Sequence, residues 1–242
     1  MKNKRNSKLK DYTEIVLVLD ESGSMGHLRG DTIGSYNAFL AEQQALPDEA
    51  RYSLVVFNTQ HRYQVDGLPI RQVPQLTAET YRPSGGTALL DATGIAIDTL
   101  GRRLASLPEK ERPARVVVAI FTDGEENSSH IYNQPGRIKQ MIEHQQSVYG
   151  WQFVYLGANQ DSFKVAESYG VSYRNIANTH ASAAGASVAY SAFGATLRSY
   201  RADSAQDMAI ATDEQGFIAN PNLTSMSAAK PYPKPKAKPK KK

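Results

Sequence analysis

The chain has 242 residues, of which 40% are hydrophobic and none is cysteine. This length suffices for one well-buried domain, and the lack of cysteine excludes disulfides, thiolate zinc sites and cysteine nucleophiles. The net charge is +4, but residues 1–10 carry five Lys or Arg and residues 230–242 carry seven Lys, with no acid at either end, which leaves the intervening body at −8. We therefore predict an acidic folded body between two basic ends.

The basic beginning of the chain does not have the pattern of a secretion signal. Only five aliphatic residues, 15–19, precede Asp20, which is too few for the apolar core of a signal peptide. No segment has the apolar length that is needed to span a bilayer. These features predict a cytoplasmic protein without a transmembrane segment, in which residues 1–10 form a basic, disordered N-terminus.

Short apolar runs at residues 15–19, 52–57, 116–121 and 151–156 predict β-strands. The first and third runs are almost continuously aliphatic, which is typical of strands buried on both faces of a parallel sheet. A further apolar run at 62–66 follows the second strand too closely to allow a crossover helix. We therefore predict that this pair forms an antiparallel hairpin at one edge of the sheet.

Amphipathic stretches of helical length separate these strands. Apolar positions at helical spacing predict helices that end before Pro47 and Pro108, a helix that opens at Pro135, and helices over 161–169 and 183–200. Strands that alternate with helices predict an α/β fold. The expected architecture is doubly wound and Rossmann-like: a mostly parallel central sheet with one antiparallel edge strand and helices on both faces.

These elements predict a single domain over residues 11–201. Beyond residue 202 the periodicity fades, and from Pro221 onward Pro, Ser, Ala and Lys dominate. We predict that residues 202–242 form a largely disordered tail. The Pro/Lys-rich end of this tail, residues 230–242, has the charge for weak, non-specific binding to nucleic acid or another anionic surface.

Oxygen-bearing side chains follow two of the buried strands. The first strand runs into DESGS, which contains Asp20, Ser22 and Ser24, and the third runs into TDG, which contains Asp123. Because ligands of open α/β sheets bind at the carboxyl ends of the strands, we expect these side chains to meet there. Gly124, like the glycine of the first loop, lets the backbone fold closely beneath such a site.

A third contribution is expected from the segment PSGGTALLDA, where Thr87 stands just before a helix and Gly86 is one of two glycines in the preceding loop. Two carboxylates and three hydroxyls form an all-oxygen ligand set, which suits Mg²⁺ or Mn²⁺ better than zinc or copper. Mg²⁺ would be held octahedrally and would keep water in its remaining positions. We predict Mg²⁺, with Mn²⁺ or Ca²⁺ as alternatives.

Asp20-x-Ser22-x-Ser24, a separate Thr87, and Asp123 in a Thr-Asp-Gly turn resemble the metal-ion-dependent adhesion site (MIDAS) of von Willebrand factor type A domains. All five positions carry the residue types of that family, in the same order. The resemblance covers about 190 residues, the whole predicted domain with its hairpin edge, and it is to the intracellular type found in bacteria and phages.

The resemblance implies a function for each of the five residues. The hydroxyls of Ser22, Ser24 and Thr87 would ligate the metal, and Asp20 and Asp123 would act directly or through bound water. Neutral hydroxyls leave the charge of the ion incompletely neutralised, so a vacant coordination position attracts a Glu or Asp from a partner protein. The resemblance thus implies a metal-dependent protein-binding module and not an enzyme.

Each of these residues also has an ordinary structural interpretation. Ser22 and Ser24 could cap the following helix, and Thr87 could be the N-cap of a helix that begins at the next residue. Leu90 stands where a capping box would have Glu or Gln, so this motif gives Thr87 no support as a cap. Asp123-Gly124 is also a common turn dipeptide. The coincidence of all five at one sheet edge favours the metal site.

Other residues are expected to surround the site without ligating the ion. Glu21 is expected to face solvent or to orient its loop, and Asp91 lies one helical turn after Thr87. Asn159 follows another strand end and could line the same crevice. The glycines at 86 and 124 complete this set of neighbouring residues.

Two other functions remain open from the sequence. A Mg²⁺-dependent phosphatase could use Asp20 as its nucleophile, but such enzymes carry a second aspartate two residues later, where this chain has Ser22. Alternatively, a passive domain could be tethered to nucleic acid by its basic tail.

Overall fold

A six-stranded sheet forms the centre of the protein in a computed structural model that describes residues 10–134, 136–158, 162–202, 207–213 and 216–218. The strands are β1 (Lys10–Asp20), β2 (Ala50–Phe57), β3 (His61–Pro69), β4 (Pro113–Thr122), β5 (Gln152–Gly157) and β6 (Ile176–Asn178). Their order across the sheet is β3-β2-β1-β4-β5-β6, and of these six strands β3 alone is antiparallel to its neighbour. The predicted mostly parallel sheet with one antiparallel edge strand is confirmed.

Helices cover both faces of this sheet. The described residues form α1 (Arg29–Gln44), α2 (Leu89–Ala105), α3 (Arg137–Tyr149), α4 (Ser162–Ser168) and α5 (Ala183–Arg201). α1 and α5 pack together on one face, and α2, α3 and α4 contribute to the core on the other. Pro135, which was predicted to open α3, lies outside the described residues. The doubly wound α/β fold is confirmed.

β1 lies at the centre because it is apolar on both of its faces. Leu17 and Leu19 belong to the core beneath α1 and α5, whereas Val16 and Val18 belong to the core on the opposite face, and all four are essentially inaccessible to solvent. This division follows from the alternation of side chains along a strand. Burial of each such side chain contributes about 1.5–3 kcal/mol. The same burial fixes the position of Asp20 at the end of the strand.

Two parts of the fold were not predicted. β6 has only three residues, so it lacks the longer apolar run by which the other strands were recognised. After α5 the chain returns to the sheet: Met208 and Ile210 are buried in the core beneath α1 and α5, and Phe217 forms a bridge with Asn178 at the edge of β6. The core therefore continues past residue 201, the predicted end of the domain.

The disorder that was predicted for both ends stays a prediction, because residues 1–9 and 219–242 lie outside the described part of the chain. Among the residues that are described, no helix combines the length and apolar character needed to cross a membrane.

Arg201, the last residue of α5, attaches this helix to the end of α1. Its side chain is fully buried, and its guanidinium donates to Asp48 Oδ2 at 2.6 Å, to the Asp48 carbonyl at 3.0 Å and to the Gln43 carbonyl at 2.9 Å. The packing of α5 against α1 therefore ends at a buried charged group. Arg198 on the same helix forms a half-exposed pair with Glu42 at 3.0 Å.

Replacing Arg201 by methionine should lower the free energy of unfolding by about 3 kcal/mol, because buried acceptors lose their charged donor. Arg198→Met is the matched control and should cost less than about 1 kcal/mol, since its ion pair is exposed. Urea unfolding followed by circular dichroism measures both. Equal losses in the two variants would contradict the structural importance given to Arg201.

Candidate metal site

The candidate site lies where β1 and β4 end side by side. Leu19 pairs with Phe121 in the parallel register, which brings Asp20 next to Thr122 at the carboxyl edge of the sheet. From here the chain leaves β1 towards β2 on one side, and β4 towards β5 on the other. This divergence opens a crevice at the edge where open α/β sheets bind their ligands.

Four of the predicted residues form one continuous chain of polar contacts. Ser22 Oγ lies 2.9 Å from Ser24 Oγ, and Ser24 Oγ donates to Asp123 Oδ1 at 2.7 Å. Asp20 joins this chain through Ser22, whose backbone N–H donates to Asp20 Oδ1 at 2.7 Å. The hydroxyl of Thr122, a residue that was not predicted to belong to the site, donates to Asp20 Oδ2 at 2.5 Å.

Gly124 shows that Thr87 belongs to the same cluster. A Cβ atom added to Gly124 would lie 3.0 Å from Thr87 Oγ1 and 3.6 Å from both Asp20 Oδ2 and Ser24 Oγ. Oxygens from the loop after β1 and the loop before α2 therefore surround one point on the loop after β4. No three His, Cys, Asp or Glu side chains in the described residues are grouped so as to hold a metal. An ion at this point would thus depend on the hydroxyls, and an all-oxygen set fits Mg²⁺, Mn²⁺ or Ca²⁺.

The helix-cap interpretation of the hydroxyls is wrong. The N-cap residue of α2 is Ala88, which has no capping side chain, so Thr87 lies one residue before the cap. Ser22 precedes the 3₁₀ turn Gly23–Leu28 and makes no capping hydrogen bond. The side chains of Ser22 and Ser24 are directed at each other and at Asp123 instead.

Asn127 holds Thr87 in place and was not identified from the sequence. The side-chain oxygen of Asn127 accepts a hydrogen bond from the Thr87 backbone N–H at 2.8 Å, and the backbone N–H of Asn127 donates to the Thr87 carbonyl at 3.0 Å. Gly86 is needed beside it, because a Cβ there would lie 2.3 Å from Ser128 Oγ and 2.8 Å from Asn127 Oδ1. Only its position four residues after Asp123 could have suggested this role for Asn127.

The neighbouring acids orient loops. Glu21 is buried and pairs with Arg62, which excludes the solvent-facing alternative and leaves the loop-orienting one. Asp91 accepts backbone hydrogen bonds from three consecutive residues of the loop after β4, His130 to Tyr132, at 2.8–2.9 Å. Asn159 lies outside the described residues.

Burial controls the charge of Asp20. Its side chain is inaccessible to solvent, and this burial raises its pKa from 3.8 to about 6. The negative charge of Asp123 raises the pKa further, whereas hydrogen bonds from Thr122 and Ser22 lower it. Without a cation, ionised Asp20 is therefore an unfavourable charge near neutral pH.

This geometry occurs in a fold that is known from other proteins. The sequence matches no protein-family model and no curated protein. Its structure is similar to a von Willebrand factor type A protein from Catenulispora acidiphila, with a TM-score of 0.51 and 15% identity over 77% of this chain and 42% of that one. The open conformation of the pilus adhesin SpaC from Lactobacillus rhamnosus GG gives a TM-score of 0.56 and 17% identity over 79% and 30%.

Proximal thread matrix protein 1 of the mussel byssus, with a zinc-occupied MIDAS motif, gives a TM-score of 0.52 and 18% identity over 77% of this chain and 46% of that one. The protein therefore has the von Willebrand factor type A fold. It spans less than half the length of each of these three proteins. Identities this low establish the fold alone.

The raised pKa of Asp20 predicts how stability depends on pH when no divalent cation is bound. Between about pH 4 and 6 the folded protein holds a proton that the unfolded chain has released. Stability should therefore fall as the pH rises through this window, by up to about 3 kcal/mol. Asp20→Asn, which stays neutral, should remove most of this fall.

Urea unfolding in chelator at pH 4.5 and pH 7 measures the effect. Asp31→Asn is the control, because it removes an exposed carboxylate, and this variant should show the same fall as the wild type. If the wild type and Asp20→Asn lose the same stability between the two pH values, burial does not control the charge of Asp20.

Proposed function

We propose that the protein is a metal-dependent protein-binding module whose divalent cation bridges to a Glu or Asp of a partner protein. The observation that carries the proposal is the convergence of Thr87, Asp20 and Ser24 oxygens around Gly124. Ser22 and Asp123 extend this set through direct hydrogen bonds. The five residues would hold the ion, and the ion would supply a positive centre for the carboxylate of the partner.

The charges of the site support a carboxylate as the incoming ligand. Three of the five oxygen donors are neutral hydroxyls, and both carboxylate oxygens of Asp20 already accept hydrogen bonds from the protein. A divalent cation held in this way keeps part of its charge. A carboxylate is the protein side chain that best satisfies such an ion, because hard cations prefer charged oxygen ligands.

Mg²⁺ is the metal that we propose, with Mn²⁺ and Ca²⁺ as alternatives, because the donors are all oxygens. The adhesin and the zinc-occupied MIDAS among the structural neighbours support adhesion and divalent-metal binding as functions of this fold. Location in the cytoplasm, the intracellular bacterial or phage type, and weak anion binding by residues 230–242 stay predictions.

We also infer that the protein is not an enzyme. Ser22 stands where a phosphatase that uses Asp20 as its nucleophile would carry its acid, and its hydroxyl lies 2.9 Å from Ser24 Oγ. Burst release of product from a phosphate ester, lost in Asp20→Asn, would overturn this inference.

Gly124→Ala should weaken Mg²⁺ binding at least tenfold, because the added methyl group would lie among the oxygens that surround the proposed ion. Gly26→Ala in the neighbouring 3₁₀ turn is the matched control, since nothing lies within 4 Å of its added Cβ. Isothermal titration calorimetry measures both affinities. Equal Mg²⁺ affinity in the two variants would place the ion elsewhere.

Partner binding should require the ion and the serine hydroxyls. We expect proteins captured from the source lysate in Mg²⁺ to be lost when a chelator replaces Mg²⁺, and to be lost equally with Ser22→Ala/Ser24→Ala. Ser106→Ala is the control, because Ser106 is exposed at the far end of α2, about 25 Å along the helix from Thr87. Capture that neither treatment changes would refute a metal-bridged contact.

A further inference from the structure

Glu21, the residue after Asp20, is a buried acid whose ion pair with the half-exposed Arg62 is not part of the proposed ligand set. Its carboxylate is almost inaccessible to solvent and accepts hydrogen bonds from both terminal nitrogens of Arg62 on β3, at 2.5 Å and 2.9 Å. The backbone N–H of Arg82 donates to the same carboxylate. Both oxygens of Glu21 are therefore occupied by protein donors, so Glu21 is directed to the protein and not to an ion.

This ion pair joins two of the loops that form the site. Arg62 also donates to the carbonyl of Thr80 at 3.0 Å. The backbone carbonyl of Glu21 accepts from Ser84 N at 2.9 Å, and Gly23 N donates to the Gly85 carbonyl at 3.0 Å. Loop 80–87, which carries Thr87, is thus attached along its length to loop 20–24, which carries the two serines. We call the Glu21–Arg62 pair, with its contacts to Thr80 and Arg82, the clamp.

We propose that the clamp makes the site selective for Mg²⁺ over Ca²⁺, an inference that rests on the proposed function. Mg²⁺ requires near-octahedral ligands at about 2.0–2.1 Å, whereas Ca²⁺ accepts irregular sets at about 2.3–2.6 Å. The clamp fixes the spacing between the Thr87 hydroxyl and the serine hydroxyls. A site with fixed, close spacing favours the smaller ion, and a loosened site admits the larger one. Glu21 and Arg62 are positioning residues, because they act through the loops that carry the ligands.

Arg29 provides a matched control for Arg62, because it carries the same charge and is also bonded to the segment that leads to Thr87. It donates to the carbonyls of Ala78 and Tyr81, so it also holds this segment, but neither of these bonds involves Glu21. Arg29→Met removes one arginine from the same region, as Arg62→Met does. Of these two variants, only Arg62→Met removes a side-chain bond between loop 80–87 and the Glu21 carboxylate, while the backbone hydrogen bonds between the two loops remain in both.

The experiment measures Mg²⁺ and Ca²⁺ affinities by calorimetry for the wild type, Arg62→Met, Glu21→Gln and Arg29→Met, with the melting temperature in chelator as a check on folding. We expect the wild type to bind Mg²⁺ at least tenfold more tightly than Ca²⁺. In Arg62→Met and Glu21→Gln the Mg²⁺ affinity should fall at least tenfold while the Ca²⁺ affinity changes less than threefold. Arg29→Met should keep the ratio of the wild type.

The outcomes separate the two proposals. A wild type that binds neither ion would overturn the proposed function itself. A wild type that binds Mg²⁺, with an unchanged affinity ratio in the clamp variants, would overturn only the role of the clamp. Equal losses of both ions with a lowered melting temperature would also overturn it, because they indicate a purely structural role. Should Arg62→Met fail to fold, Glu21→Gln, which keeps the size of the side chain, decides the question.

Discussion

The site depends on the burial of one carboxylate, that of Asp20. Removing a carboxylate from water costs several kcal/mol unless opposite charge or hydrogen bonds compensate for the loss. Thr122 and the Ser22 backbone supply two hydrogen bonds, but the pKa stays raised because burial outweighs them and Asp123 adds a second negative charge. The fold therefore places an incompletely compensated charge at the carboxyl edge of its sheet, and a divalent cation is the ligand that would compensate for it.

Asp20 and Glu21 are adjacent buried acids whose environments differ. Glu21 receives a guanidinium and a backbone N–H, so its charge is balanced within the protein. Asp20 accepts hydrogen bonds from one hydroxyl and one backbone N–H, and within the described part of the chain no arginine or lysine donates to it. The electrostatic attraction for a cation is consequently concentrated on Asp20 and Asp123, while Glu21 is available for positioning. The difference arises because successive side chains at the end of β1 point in opposite directions.

Patterns local to the sequence predicted most of the fold and the five oxygen-bearing residues. The aliphatic runs of β1 and β4 and the motif around Asp20 are readable because each is contained in a few consecutive residues. The contact partners of those residues could not be predicted from the sequence. Glu21 is adjacent to the motif, yet its burial depends on Arg62 on β3, and an acid in a loop is normally exposed. Asn127 and the return of Met208 to the core likewise depend on contacts between distant segments.

Thr87 poses a physical problem, because it ends a long segment without regular structure between the short 3₁₀ turn after β3 and α2. A flexible segment would not hold a hydroxyl in place for an ion. The turn after β2 solves part of this problem, since Thr59 Oγ1 accepts from Gly86 N at 2.9 Å and the Asn58 carbonyl accepts from Ala88 N at 2.8 Å. Together with Asn127, these contacts attach the backbone on both sides of Thr87. None of the five oxygens comes from the hairpin edge of the sheet. The turn between β2 and β3 nevertheless holds the backbone on both sides of Thr87, so this hairpin positions a proposed ligand before an ion binds.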